Sequence, residues 1–180
     1  MNLKKEFQIL PKDSIILIET TPEKIFSLGL EVVKHFSKIS DSGIIVTTNR
    51  PYSNLVGLFT KNGVDLEKMF FLDCISKSHN ADFKSNKVTF IDNISALTDI
   101  SVSINQRIHE TNGKKKFVFF DSIPNMVIHN NPHVFASFIH SVLTMMRLNG
   151  VRGVLVSIKE GNNKEIRAEI IQLCDKVITI

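Results

Sequence analysis

Seven short apolar runs recur along the chain, and segments with helical spacing of apolar residues separate them. Most of the runs are continuous rather than alternating with polar residues, which is typical of strands buried on both faces of a sheet. Strands that alternate with helices form a mainly parallel sheet covered by helices on both sides. The sequence therefore predicts a three-layer α/β/α fold with strands at 15–19, 44–48, 69–73, 88–91, 117–121, 153–158 and 176–180.

Prolines, capping residues and apolar spacing indicate where the helices between these strands begin and end. Thr21 is a capping residue with Pro22 at the first helical position, and this helix is expected to run to about Ser37. The polar segment 75–87 is expected to be an exposed loop. Three further helices are predicted, from Asn49-Arg50-Pro51 to Asn62-Gly63, from Asn93 to about Glu110, and from Asn131-Pro132 to Asn149-Gly150.

The helix that follows Asn131 has apolar residues around much of its surface, and the helix after the first strand is also rich in them. This pattern predicts more hydrophobic surface than one sheet covers. We therefore expect self-association or a protein partner that docks on one of these two helices.

The composition fits one globular domain spanning residues 1–180. Of the 180 residues, 43% are hydrophobic and 22% are charged, as in ordinary globular domains. No apolar run approaches the ~20 residues that a membrane helix requires. The lysines near the N-terminus are not followed by the apolar segment of a secretory signal. We therefore expect a cytoplasmic protein without membrane insertion.

The formal net charge of +4 permits nucleic-acid binding without requiring it. The one compact basic run is Lys114-Lys115-Lys116, which follows Gly113 and is typical of a solvated turn. A phosphate-binding surface would require these lysines to meet other basic residues in space.

The strand at 117–121 ends in Asp121, followed by Ser122, and so carries a carboxylate to its C-terminal edge. Ligands bind at this edge in open α/β sheets, and in P-loop NTPases such an aspartate holds the magnesium ion on the nucleotide. The first strand of such a protein leads into a glycine-rich G-x-x-x-x-G-K-[ST] loop that cradles phosphates. Here it leads into residues 20–27, Thr-Thr-Pro-Glu-Lys-Ile-Phe-Ser, which contain no glycine. The sequence thus has the acid of an NTPase site without its phosphate cradle.

The order of these parts resembles the KaiC-like branch of the RecA superfamily of ATPases, which is widespread in archaea. The resemblance covers most of the chain and is carried by the first strand with its helix, by the strand containing Ser157, and by segments 68–73, 96–101, 116–123 and 146–151. It implies a RecA-like fold with the first strand in the middle of the sheet. It also implies that the 153–158 strand lies close to the first strand and to the Asp121 strand.

The resemblance also assigns site positions. Asp121 matches the Walker-B aspartate, a candidate Mg²⁺ ligand, and Ser122 matches the small polar residue that often follows it. Ser157 falls where the family has a polar sensor at a strand tip. Lys24 lies within the missing P-loop, but without glycines it does not replace the P-loop lysine. The complete set of degenerate nucleotide-site positions is Thr20, Thr21, Lys24, Asp121, Ser122 and Ser157.

Relatives that hydrolyse ATP carry a glutamate after the second strand, whereas residues 46–50 here are Val-Thr-Thr-Asn-Arg. No residue is therefore assigned a catalytic role. The resemblance favours a pseudoenzyme without ATP hydrolysis that serves as a regulatory or assembly subunit. No cofactor is expected, although the remaining groups allow weak ATP and Mg²⁺ binding.

Two alternatives stay open at this point. One is a nucleotide- or nucleic-acid-binding RecA-like protein with altered or residual ATP chemistry, which Asp121 and the basic run at Lys114–Lys116 favour. The other is an unrelated small-molecule enzyme that uses the same sheet edge, because a fold does not fix a function.

Overall fold

The computed structural model describes residues 3–79, 85–159 and 163–180 and has three layers, with a seven-stranded sheet between two layers of helices. All six strand pairs are parallel, which confirms the predicted α/β/α class. The strands are β1 (Ile15–Thr20), β2 (Ser42–Thr47), β3 (Met69–Asp73), β4 (Val88–Phe90), β5 (Lys116–Asp121), β6 (Arg152–Ile158) and β7 (Lys176–Thr179). The helices are α1 (Leu3–Ile9), α2 (Ile25–Ile39), α3 (Tyr52–Lys61), α4 (Leu97–Glu110), α5 (Ile123–Ile128), α6 (Pro132–Leu148) and α7 (Lys164–Leu173).

The strands follow the spatial order β4-β3-β2-β5-β6-β1-β7. As expected, β6 lies between β1 and β5. The expectation that the first strand lies in the middle of the sheet is wrong, because β1 is second from one edge and β5 is the central strand. Beyond β6, on the side away from β1, lie the four strands β5, β2, β3 and β4. On its other side β1 pairs only with the short β7.

The side chains of β5 show why its apolar run is continuous. Phe117 and Phe119 belong to a hydrophobic cluster with α1, α2 and α3, whereas Val118 and Phe120 belong to a second cluster with α4, α5, α6 and α7. Successive residues of a strand point to opposite faces, so a strand covered on both sides must be apolar at every position. The hydrophobic core is therefore divided into two halves by the sheet.

The structure also explains the wide apolar surface of α6. Its large apolar residues on the core side are buried, and α4 and α7 pack along its flanks. In α2, Leu28, Val32 and Phe36 are buried in the other half of the core. The chain itself thus covers most of this apolar surface, while Val134 and Leu148 of α6 and Ile39 of α2 stay exposed. Association through these helices remains a prediction.

Helix ends agree with the sequence where a side chain fixes them. The Asn131 side chain accepts hydrogen bonds from the backbone of His133 (3.0 Å) and Val134, and so caps α6 as predicted. Asn93 instead accepts from the amide of Ser95 in a local turn, and α4 begins only at Leu97. The expected exposed loop at 75–87 contains a short 3₁₀ helix at Ser76–His79, and residues 80–84 lie outside the described part of the chain.

Helices α1, α5 and α7 were not predicted. Helices α1 and α5 have seven and six residues, and such short segments give little periodic signal. Helix α7 is as long as α3, and its cap, Asn163, is a usable signal that was missed. Among the described residues, no helix combines the length and the apolarity needed to cross a membrane.

Phe119 provides a test of the double-sided core. Its side chain is 1% exposed, so Phe119→Ala should lower the free energy of unfolding by about 3–5 kcal/mol through lost burial and a cavity. Urea titration measures this change. Val102→Ala, at an exposed position of α4, is the matched control and should have little effect. A loss of under about 1 kcal/mol for Phe119→Ala, well below the core range, would contradict the assignment.

Candidate functional site

The parallel arrangement brings the C-terminal ends of all strands to one edge of the sheet. Three clefts open near this edge. The polar cleft has a volume of about 490 Å³ and is lined by Pro22, Ile25, Phe26, Asn49, Arg50, Asp121, Ser122, Pro124, Asn125, Ile128 and Ile158. The lysine cleft, of about 550 Å³, is lined by Leu3, Lys4, Thr20, Lys24, Ser27, Leu28, Glu31 and Ile180. The apolar groove, of about 280 Å³, is lined by Pro22, Ile123, Pro124, Val127, Ile128, Ser157, Ile158, Asn163, Ile166, Arg167 and Ile170.

The candidate site residues are distributed over these three clefts. Asp121 and Ser122 share the polar cleft, but Thr20 and Lys24 line the lysine cleft, and Ser157 lines the apolar groove. The first turn of α2 separates the first two clefts, since Ile25 and Phe26 line one and Ser27 and Leu28 line the other. Thr21 is exposed and lines none of the three.

The alternation of side chains along β1 explains why Thr20 and Ser157 lie apart. Glu19 and Thr20 are adjacent in the strand, so they point to opposite faces of the sheet. Ser157 is the register partner of Glu19 in β6, and it shares the α7 face with Glu19. Thr20 instead faces α2, on the other side of the sheet.

The connection between β1 and α2 is too short to wrap a phosphate group. Thr21 alone separates the end of β1 from a 3₁₀ turn at Pro22–Lys24, which the Lys24 amide closes by donating to the Thr21 carbonyl at 3.1 Å. Proline supplies no amide donor. A P-loop instead needs a glycine-rich loop whose successive amides point at the ligand.

The acidic side chain of Glu23 lies within this turn. The Thr21 hydroxyl and then the Glu23 amide hydrogen-bond to the Glu23 carboxylate and lower its pKa. Thr21 makes no side-chain bond to the backbone of the turn, so it acts on the Glu23 carboxylate rather than as the predicted helix cap. The negative charge near the start of α2 is therefore that of Glu23, a side chain of the protein itself.

Asp121 lies in the polar cleft, where opposing effects act on the pKa of its carboxyl group. Burial raises the pKa of its carboxyl group, while a hydrogen bond from Asn49 and the positive charge of Arg50 oppose this shift. The Arg50 guanidinium lies 4.5 Å from the centre of the Phe26 ring. A cation thus stands after β2, where ATP-hydrolysing relatives are expected to carry a glutamate.

Thr48 joins the tips of β2 and β5. Its hydroxyl donates to the Asp121 carbonyl at 2.8 Å and accepts from the Ser122 amide at 3.1 Å. The side chain of Asn125 donates to the Thr48 carbonyl, and that of Asn49 donates to the Ser122 hydroxyl at 3.0 Å. The peptide bond between Asp121 and Ser122 is cis. These contacts fix the backbone that presents Asp121.

Sequence reasoning missed Thr48, Asn49 and Asn125 as site residues. Thr48 ends the predicted strand 44–48 and Asn49 directly follows it at the ligand-binding edge, which is a usable signal. No comparable signal marked Asn125, because α5 itself was not predicted.

A buried ion pair at the end of β1 was also missed. The Glu19 side chain is 1% exposed and accepts two hydrogen bonds from Arg167 of α7, at 2.6 Å from Nε and 2.8 Å from the terminal nitrogen. These contacts raise the pKa of Arg167. A carboxylate at the end of a fully buried strand requires a partner, but nothing in the sequence identifies Arg167 as that partner.

The other carboxylates are not placed to bind a metal ion together with Asp121. Within the described residues, no cluster of three or more His, Cys, Asp or Glu side chains is arranged to hold one. The Asp73 carboxylate, at the end of β3, accepts from the amides of Tyr52, Ile75 and Ser76 and from the Ser76 hydroxyl. Asp121, Ser122 and Asn125 could supply oxygen ligands to Mg²⁺, but Arg50 opposes a cation there. The Mg²⁺ role of Asp121 stays a prediction.

Comparison with known proteins identifies the fold. No family model matches the chain, and no curated protein matches it. Solved structures do match, and one of them is a KaiC-like protein from the hyperthermophilic archaeon Pyrococcus horikoshii, with a TM-score of 0.67 at 15% sequence identity. The match covers 94% of this chain and 72% of the other. The chain therefore has the three-layer fold of KaiC-like, RecA-type proteins.

The raised pKa of Asp121 predicts a pH dependence of stability. Because the folded pKa exceeds the ordinary value of 3.8, the folded state binds more protons here than the unfolded state between the two pKa values. Its contribution to stability is present at low pH and is lost as the pH rises through the folded pKa. Asp121→Asn should therefore gain stability relative to the wild type as the pH rises from the ordinary carboxyl pKa through the raised pKa of the folded state, measured by urea titration.

The control for this comparison is Asp99→Asn, which changes an exposed carboxylate in the first turn of α4. A stability difference between Asp121→Asn and the wild type that stays constant or shrinks with rising pH would contradict the burial of the Asp121 charge.

Proposed function

We propose that this RecA-type domain does not hydrolyse ATP and acts in the cytoplasm as a regulatory or assembly subunit that binds other protein chains. The observation that carries the proposal is the β1–α2 connection. It consists of one extended residue and a 3₁₀ turn at Pro22–Lys24, with the Glu23 carboxylate on its own donors. Such a degenerate P-loop lacks the backbone amides that hold phosphates in P-loop NTPases.

Hydrolysis of ATP requires that the phosphates are gripped, that Mg²⁺ is held and that a water molecule is oriented. For the first requirement, Lys24 lines a different cleft from Asp121. For the second, Asp121 is one buried carboxylate beside the charge of Arg50. For the third, Asn49 and Arg50 stand after β2, and neither supplies a carboxylate base. All three deficits support the loss of turnover.

The first test is a coupled phosphate-release assay with Mg²⁺ and ATP. We expect no turnover above background for the wild type, and the same result for Asp121→Asn, because the phosphate-binding loop is missing in both. Nucleotide binding, measured by calorimetry, should be weak or undetectable. Turnover in the wild type that disappears in Asp121→Asn would overturn the proposal.

The apolar groove supports the interaction part of the proposal. Apolar residues of α5, β6 and α7 form most of its wall, and Ile128 at its rim is 77% exposed. Burying such a surface against another protein is favourable because it removes apolar area from water. The groove adjoins the polar cleft, with which it shares four residues, namely Pro22, Pro124, Ile128 and Ile158.

The second test compares the association of two matched variants. Ile128→Asp places a charge at the rim of the groove, whereas Val102→Asp places one at an exposed apolar position of α4, where Val102 is 59% exposed. We expect concentration-dependent self-association or capture of a protein partner by the wild type, a loss in Ile128→Asp and no loss in Val102→Asp. Sedimentation velocity and affinity capture measure these effects. A wild type that stays monomeric at high concentration and captures no partner contradicts the proposal.

A further inference from the structure

The N-terminal edge of the sheet, opposite the three clefts, carries a row of basic residues. In the spatial order of the strands, Lys68 precedes β3, Lys114 and Lys115 precede β5, and Lys12 lies just before β1. Lys38, in the last turn of α2, is close to the start of β2 along the chain. Because the strands are parallel, all of these positions lie at the same edge.

The turn at residues 113–115, which carries Lys114 and Lys115, is held in a fixed conformation by Asp41. One oxygen of the Asp41 carboxylate accepts from the amides of both Lys114 and Lys115 at 2.8 Å. Gly113 has a φ of +96°, and a Cβ atom there would lie 2.2 Å from the Asp41 Cβ, so the turn requires glycine. The amides of Lys115 and then Lys114 lower the pKa of Asp41. The acid at the centre of the row is therefore hydrogen-bonded to the backbone of the lysine run, which it holds in place.

Arg152 fixes the segment that carries Lys12. Its guanidinium is largely buried, donates to the carbonyls of Leu10 and Pro11, and lies 5.1 Å from the centre of the Phe36 ring. Lys12, Lys115, Lys116 and Arg152 line the same small cleft, together with Phe36, Ile39 and Ser40. The basic run at 114–116 thus meets other basic residues in space.

The ammonium groups of this row are available to a ligand. Within the described residues, none of those of Lys12, Lys38, Lys68, Lys114 and Lys115 makes a hydrogen bond or an ion pair. By contrast, the Lys116 ammonium donates to the carbonyls of Ile108 and Thr111, and that of Lys87 donates to the Glu67 carbonyl. The exposed acids at this edge are Asp13, Asp41, Asp65 and Glu67, and the charge of Asp41 acts on Lys115 and Lys68. The five lysines of the row together with Lys116 and Arg152 outnumber these four carboxylates.

We propose that this lysine row binds the phosphate backbone of a nucleic acid. Neighbouring strands are about 4.8 Å apart, so the four steps from β3 to β1 span about 19 Å, which accommodates several consecutive phosphates. Phosphates that replace counterions on such a row are bound mainly through charge.

Contacts limited to the phosphates make this binding independent of base sequence. Phe70, the aromatic residue of β3 nearest to the row, is covered by the cations of Lys87 and Arg107 at 4.9 and 5.4 Å from its ring centre. Its ring is therefore engaged and does not offer a face to a base, as the aromatic residues of single-strand binders do. The site does not depend on the proposed function, because the strands separate it from the clefts by about 20 Å.

Fluorescence anisotropy with a labelled oligonucleotide of about 20 residues, single-stranded or duplex, tests the proposal on the full chain. We expect binding by the wild type that weakens about a hundredfold as NaCl rises from about 50 to 200 mM, as neutralisation of about four phosphates requires. The triple variant Lys12→Glu, Lys68→Glu, Lys115→Glu should bind at least about tenfold more weakly. Its slope of log K against log salt should fall by about three units.

The control is the triple variant Lys5→Glu, Lys159→Glu, Lys164→Glu, which makes the same change in net charge at exposed positions outside the row. It should retain most of the affinity and the slope. The milder variant Lys12→Gln, Lys68→Gln, Lys115→Gln keeps the test valid if the charge reversals impair folding, and thermal melting checks all of the variants. No binding by the wild type at low salt, equal losses in the row and control variants, or tighter binding to phosphatidylserine vesicles than to nucleic acid would overturn the proposal.

Discussion

The structure depends on one constraint, the burial of a parallel sheet on both faces. Side chains of the central strand β5 enter both halves of the core, so charged groups have no place along its length. Polar chemistry is therefore confined to the two ends of the strands, where Asp121 and Lys116 stand at opposite ends of β5. The C-terminal edge collects carboxylates and amides, and the N-terminal edge collects lysines. Both proposals for function follow from this separation.

At the C-terminal edge, charged groups of the chain interact with one another and with nearby hydrogen-bond donors. Hydrogen bonds from the Thr21 side chain and the Glu23 amide lower the pKa of Glu23, and the Arg50 charge acts on Asp121. Arg167 neutralises Glu19 in the same way at the end of β1. The Thr48 hydrogen bonds and the Glu19–Arg167 ion pair hold the strand tips at this edge together.

The N-terminal edge differs in charge. Asp41 and Arg152 are hydrogen-bonded to backbone groups, and the ammonium groups of the lysines beside them make no hydrogen bond or ion pair among the described residues. The two edges of the sheet thus present different chemistry. The apolar groove beside the polar cleft adds a third surface, and it differs from the other two because its walls are mainly apolar.

The sequence by itself determined all seven strands, the three layers, the position of Asp121 at a strand end and the lack of a glycine-rich loop after β1, because these depend on local apolar runs and residue types. Tertiary structure alone decided that β1 lies near an edge and that Thr20, Asp121 and Ser157 face three different clefts. It also decided that α4 and α7 cover α6 and that Arg167 meets Glu19. Strand order and the face to which each side chain points are set by packing between segments far apart in the chain, which a local pattern does not record.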